Sequence, residues 1–131
     1  MKLLLDTHIW VWIKAGEEHR IPSPVRRRVS RDSSSLYLSA VSVMEISIKQ
    51  TLGKIRLGVA AGELVDRILS QGVIPLPVRI DHALAIGELP LHHRDPFDRA
   101  LIAQATVDGL TLVTADPRIL QYKVAAIDAR K

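Results

Sequence analysis

Cysteine is absent from the 131 residues. That excludes disulfides, thiol nucleophiles and cysteine-bound zinc, and it suits a reducing compartment. Aromatic residues make up only 4%, too few for a ladder of rings that would stack single-stranded bases. No apolar run approaches the ~20 residues of a membrane-spanning helix. Leu3-Leu4-Leu5 is too short for the apolar centre of a signal peptide, and Asp6 interrupts it. Internal repeats and low-complexity segments are missing as well. The reading is a cytoplasmic chain with no membrane partner, forming one domain over residues 1–131. The remaining balance is ordinary for a globular protein, with 47% hydrophobic and 24% charged residues. The net charge of +4 leans towards a polyanionic partner such as RNA or DNA.

The stretch Lys2-Leu3-Leu4-Leu5-Asp6-Thr7 organises the rest. Three consecutive leucines predict a strand buried on both faces, as at the centre of a parallel sheet. Asp6 falls at its carboxyl end, where open α/β sheets bind ligands. Further along, helical spacing predicts a helix over His8 to Lys14 and a short basic one over Val25 to Arg31, with a loop from Glu17 to Pro24 between them. Leu36 to Leu38 reads as the second strand. A helix capped by Ser39 or Ser42 runs to about Leu52, and another spans Ala60 to Gln71. Val73 to Val78 is a third strand, placed at the sheet edge because its prolines cannot donate to a ladder. A short helix follows over Ile80 to Gly87, then a loop from Leu89 to Arg94. Asp95-Pro96 starts a helix that runs to Asp108 and stops at Gly109. Leu110 to Thr114 is the fourth strand. A helical turn from Asp116-Pro117 to Tyr122 leads to a last strand over Val124 to Ile127. Strands alternating with helices imply a parallel sheet covered on both faces.

Four carboxylates stand out by position. Asp6 and Asp116 each follow a buried apolar strand, and parallel strands end on one side. Glu45 shares a helix face with Val41, Ile48 and Leu52, and Asp98 shares one with Leu101, Ile102 and Ala105. Both are the faces expected to pack inward. One unpaired buried carboxylate is costly, and four together oppose one another's ionisation. A divalent cation relieves this. Magnesium prefers oxygen ligands and manganese accepts the same set, and either can orient a phosphodiester and activate water. Each acid also has a local reading. Ser42-x-x-Glu45 matches a capping box, Asp95 and Asp116 suit helix caps, Asp98 suits a first turn, and Asp6 could accept backbone N–H groups.

Several segments together resemble the PIN domain family, and within it the VapC-type toxins of bacterial toxin–antitoxin pairs. They are Leu3-Leu4-Leu5-Asp6-Thr7-His8, Ser39-Ala40-Val41-Ser42-Val43-Met44-Glu45-Ile46 and Leu52-Gly53-Lys54. The most specific runs from Leu91-His92-His93-Arg94-Asp95-Pro96-Phe97-Asp98-Arg99 to Ala105, and Leu112-Val113-Thr114-Ala115-Asp116 completes the set. The resemblance spans nearly the whole chain in order. It implies an α/β fold, with a five-stranded parallel sheet in the order 3-2-1-4-5 and helices on both faces. It also implies an endoribonuclease dependent on Mg2+ or Mn2+, leaving a 5′-phosphate and a 3′-hydroxyl. The family's acids fall on Asp6, Glu45, Asp98 and Asp116, with Asp95 an additional acid of the motif that could join the metal ligands. Thr7 and Thr114 fall where supporting hydroxyls occur. Relatives usually form homodimers and are silenced by a cognate antitoxin. Met44 stands where relatives often carry Trp, and no aromatic follows Asp116; both departures concern packing.

Within that reading Asp6, Asp98 and Asp116 bind the metal directly or through water, and Glu45 holds or deprotonates the attacking water. Lys49, Arg94 and Arg99 are candidates for gripping the RNA backbone. The cluster Arg26, Arg27, Arg28 and Arg31 could bind RNA or the antitoxin but reads better as the outer face of a helix. His92 and His93 could be metal ligands or acid–base groups; with a complete carboxylate set elsewhere they read as loop residues. Trp10, Trp12, Ile9 and Ile13 are divided between core and an interface. Two other functions compete. A haloacid-dehalogenase-like magnesium phosphohydrolase also begins with an apolar strand and an Asp, but it needs a second Asp where this chain has His8. A non-catalytic PIN-like binding module would not need the full acid set.

Overall fold

A computed structural model describes residues 1–130 of the chain; Lys131, the last residue of the expected domain, lies outside the described residues. Five parallel strands form one sheet in the order β3-β2-β1-β4-β5, as the resemblance implied. They are β1 (Lys2–Leu5), β2 (Ser35–Ser39), β3 (Ile74–Leu76), β4 (Thr111–Thr114) and β5 (Ala126–Asp128). Six α-helices accompany them: α1 (Thr7–Lys14), α2 (Ser23–Ser30), α3 (Ala40–Thr51), α4 (Ala61–Leu69), α5 (Ile80–Glu88) and α6 (Pro96–Asp108). Two 3-10 turns, Glu18–Arg20 and Ile119–Gln121, lie in the segments read as a loop and as a helical turn.

The leucine triplet sits at the centre because each of its faces has a helical layer to bury it. Leu3 and Leu5 pack with Ile9 and Trp10 of α1, Ile46 of α3 and Leu64 and Ile68 of α4. Leu4 points the other way, to Leu101, Ile102 and Ala105 of α6. All three leucines are fully buried, each contributing roughly 1.5–3 kcal/mol relative to an exposed side chain. β1 pairs with β2 through Leu3 opposite Leu36 and with β4 through Leu4 opposite Leu112. Its carboxyl end therefore lies beside that of β4, with Asp6 N donating to Val113 O at 3.0 Å.

Prolines shape two boundaries. β3 is an edge strand of three residues, with Pro75 inside it and Pro77 just beyond. α2 starts earlier than the sequence suggests, because Pro24 is tolerated in a first turn whose N–H groups have no intrahelical partner. α2 buries only Val25, and Arg26, Arg27 and Arg31 are exposed. The face of α3 departs from expectation. Its buried residues are Val41, Ser42, Glu45 and Ile46, all before Ser47. Ile48 and Leu52, expected to pack inward, are 43% and 62% exposed; the segment that leads into α4 meets this end of the helix at Gln50 instead, through Val59 O and Ala61 N. Trp10 is buried, whereas Trp12 is partly exposed with the Arg20 guanidinium 5.0 Å from its ring centre.

A charged cluster closes the far end of α6. Asp108, its last residue, receives Arg79 Nη2 at 2.5 Å, and Arg79 also reaches Asp81. His82 is fully buried beside them. Its Nδ1 accepts from Arg79 N, which leaves the proton on Nε2, 3.2 Å from Asp108 Oδ2. The arginine holds both aspartates below the usual carboxylate range.

Candidate metal centre

The acids selected from the sequence meet at the carboxyl ends of β1 and β4. Asp6 caps α1, with Oδ1 accepting from Ile9 N at 3.1 Å, and is 3% exposed. Its Oδ2 accepts from Thr114 Oγ1, and the same hydroxyl accepts from Asp116 N at 3.1 Å. Thr114 thus ties the two strand-end acids to each other. Burial pushes the Asp6 carboxyl up, against the hydrogen bonds from Thr114 and Ile9. Asp6 and Asp116 line one open cavity of about 250 Å³ together with His8, Trp12 and Arg118.

α3 brings Glu45 to the same rim. Ser39 caps that helix through Val41 N, at 2.9 Å. Ser42 therefore lies inside the helix, and the capping-box reading of Ser42 and Glu45 does not hold. Instead Ser42 Oγ accepts from Thr7 Oγ1 at 2.9 Å, joining the start of α1 to α3. Glu45 is 3% exposed. Its Oε2 pairs with Lys49 Nζ at 2.5 Å, and its Oε1 is buried with no hydrogen-bond partner among the described residues. An orphaned carboxylate oxygen of this kind is costly unless a cation or proton meets it.

α6 supplies Asp98 in its first turn. Asp95 Oδ1 caps the helix, accepting from Phe97 N and Asp98 N at 2.9 and 3.0 Å. Local capping therefore accounts for one oxygen of the additional acid. The Asp98 carboxyl is pushed up to about 6, first by burial and then by the negative charges of Asp95, Asp6 and Glu45; a hydrogen bond with His93 opposes the rise. The acids named there belong to three separate segments, so the rim is one electrostatic neighbourhood. Lys49 is held above its usual range, mainly by Glu45 and further by Asp95 and Asp98. The donor set is carboxylate oxygen with one orphaned acceptor, which fits a hard divalent cation.

Two residues are not as the sequence suggested. Arg99 was a candidate for RNA contact, but it is 8% exposed and its guanidinium is turned inward. Nη1 donates to Pro90 O at 2.9 Å, and to His93 O and Tyr122 Oη at 3.3 and 3.2 Å; Nη2 donates to Ile86 O at 2.9 Å and Leu89 O at 3.3 Å. With both Nη atoms spent on carbonyls and the Tyr122 hydroxyl, the guanidinium is turned away from any phosphate at the surface. Arg94 is exposed. His93, read as a loop residue, is 6% exposed with Nε2 2.7 Å from Asp98 Oδ2 and 3.7 Å from Asp116 Oδ2. One ligand atom from each of His93, Asp98 and Asp116 lies within 4.8 Å of the others. No helix among the described residues is long and apolar enough to cross a membrane.

Comparison with known proteins agrees with this architecture. The family model of the PIN domain matches residues 3–126. VapBC2 from Rickettsia felis, solved bound to a promoter DNA fragment, is similar in fold with a TM-score of 0.75 at 15% identity, covering 98% of each chain. The DNA-bound VapBC of Salmonella typhimurium gives 0.70 at 19% identity, again over 98% of both chains. VapC20 of Mycobacterium tuberculosis, described as a toxin that cleaves the sarcin–ricin loop, gives 0.70 at 16% identity over 98% of this chain and 99% of that one. Comparison with curated proteins finds no match.

Proposed function

The chain belongs to the PIN domain family, and from that premise we propose that it is a divalent-metal-dependent endoribonuclease, the toxin of a toxin–antitoxin pair. The observation that carries the reading is the partly buried rim on which Asp6, Glu45, Asp98 and Asp116 converge, with Glu45 Oε1 left without a partner among the described residues. Asp6, Asp98 and Asp116 would hold Mg2+ or Mn2+, with Asp95 adding negative charge beside them. When bound, such an ion supplies Lewis-acid stabilisation of the phosphodiester and of the leaving oxygen.

The protein's own groups supply the rest. Glu45 Oε1 takes the proton of the attacking water, while the Lys49 ammonium fixes the other oxygen and keeps the side chain aimed inward. Thr114 locks Asp6 against the backbone of Asp116, so the two strand ends move together. Thr7 holds the start of α1 against α3 through Ser42. In-line attack on phosphorus leaves a 5′-phosphate and a 3′-hydroxyl. Arg94 and Lys49 are the cations placed to meet the RNA backbone. A cognate antitoxin would occlude this groove in the cytoplasm. The exposed Met44, Ile48 and Leu52 on α3 supply apolar surface for a homodimer.

The test is cleavage of a structured RNA by the purified chain with Mg2+, with Mn2+ and with EDTA. Metal-dependent cleavage that disappears in Asp6→Asn, with an unchanged circular-dichroism spectrum, is the expected result. Undiminished cleavage by that variant, or cleavage in EDTA, would remove the assignment.

A further inference from the structure

His93 belongs to none of the roles assigned so far, yet it is held more firmly than a loop residue requires. Its N–H donates to Tyr122 Oη at 3.0 Å. Its carbonyl accepts from Arg99 Nη1 and from Tyr122 Oη, each at 3.3 Å. Arg99 and Tyr122 are themselves buried, and they come from α6 and from the end of the Ile119–Gln121 turn. Two elements, one adjacent and one 29 residues away, therefore fix the backbone that carries the imidazole. Neighbouring His92 has no such anchorage and lies edge-to-face on the Tyr122 ring, exposed to solvent.

The fixed ring delivers Nε2 into the gap between Asp98 and Asp116. Ligand atoms bound to one ion at ~2.1 Å lie about 3 Å apart when adjacent and about 4.2 Å when opposite. The observed separations of 2.7 and 3.7 Å, with all three atoms inside 4.8 Å, reach that pattern with shifts under about 1 Å. We propose that His93 supplies a nitrogen ligand to the metal centre, alongside oxygens of Asp98 and Asp116. The centre is then a mixed nitrogen and oxygen site. It discriminates in favour of Mn2+ over Mg2+, since imidazole suits transition ions and magnesium prefers oxygen alone. The inference rests on the reading that the acidic rim binds a divalent cation.

The test uses the full chain loaded with Mn2+ and no RNA. Pulsed electron paramagnetic resonance detects a directly bonded imidazole nitrogen as modulation of the Mn2+ spin echo, and 15N-histidine labelling identifies it. Calorimetry supplies the Mn2+ and Mg2+ affinities. The expected result is nitrogen modulation in the wild type that is lost in His93→Gln, together with at least tenfold weaker Mn2+ binding and a smaller change for Mg2+. His8 lines the neighbouring cavity, so His8→Gln and His92→Gln must retain the modulation; they carry the test even if His93→Gln does not fold. Bound Mn2+ with no nitrogen modulation in the wild type, or modulation lost in His8→Gln, overturns the proposal and leaves an ion held by carboxylates alone. Failure of the wild type to bind Mn2+ at all overturns the underlying metal-site reading instead, and the two failures are told apart by the affinity measurement.

Discussion

The two ends of α6 carry charged clusters built from the same residue types, with opposite electrostatic outcomes. At the first turn, Asp98 faces Asp6, Glu45 and Asp95 and is pushed up to about 6. At the last residue, Asp108 faces Arg79 and is held below the usual carboxylate range. The helix dipole alone would do the reverse, favouring an anion at the amino end and opposing one at the carboxyl end. Burial and neighbouring charge therefore outweigh it at both ends. In one cluster both carboxylates pair directly with Arg79, whereas in the other Glu45 Oε1 is buried without a partner among the described residues and neighbouring acids raise Asp98. Residue type alone does not distinguish a structural cluster from a functional one; the pairing of each acid does.

The largest effect should separate the clusters by activity. Asp98→Asn is expected to lower RNA cleavage by roughly 10²–10³-fold, measured under single-turnover conditions, with no loss of melting temperature. Asp108→Asn should leave cleavage near wild type. Equal loss in both variants would erase the distinction. Next, Mg2+ or Mn2+ at about 100 times its dissociation constant should stabilise the wild type by roughly 2.7 kcal/mol, on the order of 10 °C in melting temperature. Asp108→Asn should keep that increment, and Asp98→Asn should lose most of it.

The clusters should also respond to pH with opposite sign. The Asp98 carboxyl binds its proton more tightly in the folded state, so its contribution is fully present below the ordinary value of 3.8 and is lost as pH rises through about 6. Asp81 and Asp108 are lowered, so their contribution is present above that ordinary value and is lost as pH falls below it. Metal-free protein should therefore melt at falling temperature between about pH 4 and 6, with a shallower slope in Asp98→Asn. A slope unchanged by that substitution would count against the rim as its source. The smallest effect belongs to Arg79→Ala. It breaks a solvent-exposed pair, so the melting temperature should fall only slightly, and high salt should shrink the loss.

Much of the fold was legible because its signals are local. The leucine triplet needs cover on both faces, and prolines on either side of Leu76 leave β3 only an edge position. The site was legible as far as acids at the ends of apolar strands and on the inward faces of helices. What escaped depends on distant partners. Tyr122 and His93 are 29 residues apart, so the run around His93 does not announce the hydroxyl that anchors it. Arg99 did carry a signal. It opens a run from Arg99 to Ala105 in which every residue is buried, and a charged residue beside a helix buried all round must find partners inside. The stripe of Ile48 and Leu52 misled because periodicity reports an apolar face but not whether anything covers it.

The pairing of β1 with β4 governs when the protein becomes competent during its own synthesis. Leu3 to Leu5 leave the ribosome well before Thr111 to Val113, the residues with which they pair. A growing chain thus exposes Asp6 and Glu45 long before Asp116 exists, with one flank of the central strand bare. Non-local pairing of this kind forms late and slowly. Whatever chemistry the rim performs is assembled only once β4 has been made, and the interval before that is a window in which a binding partner can reach the chain.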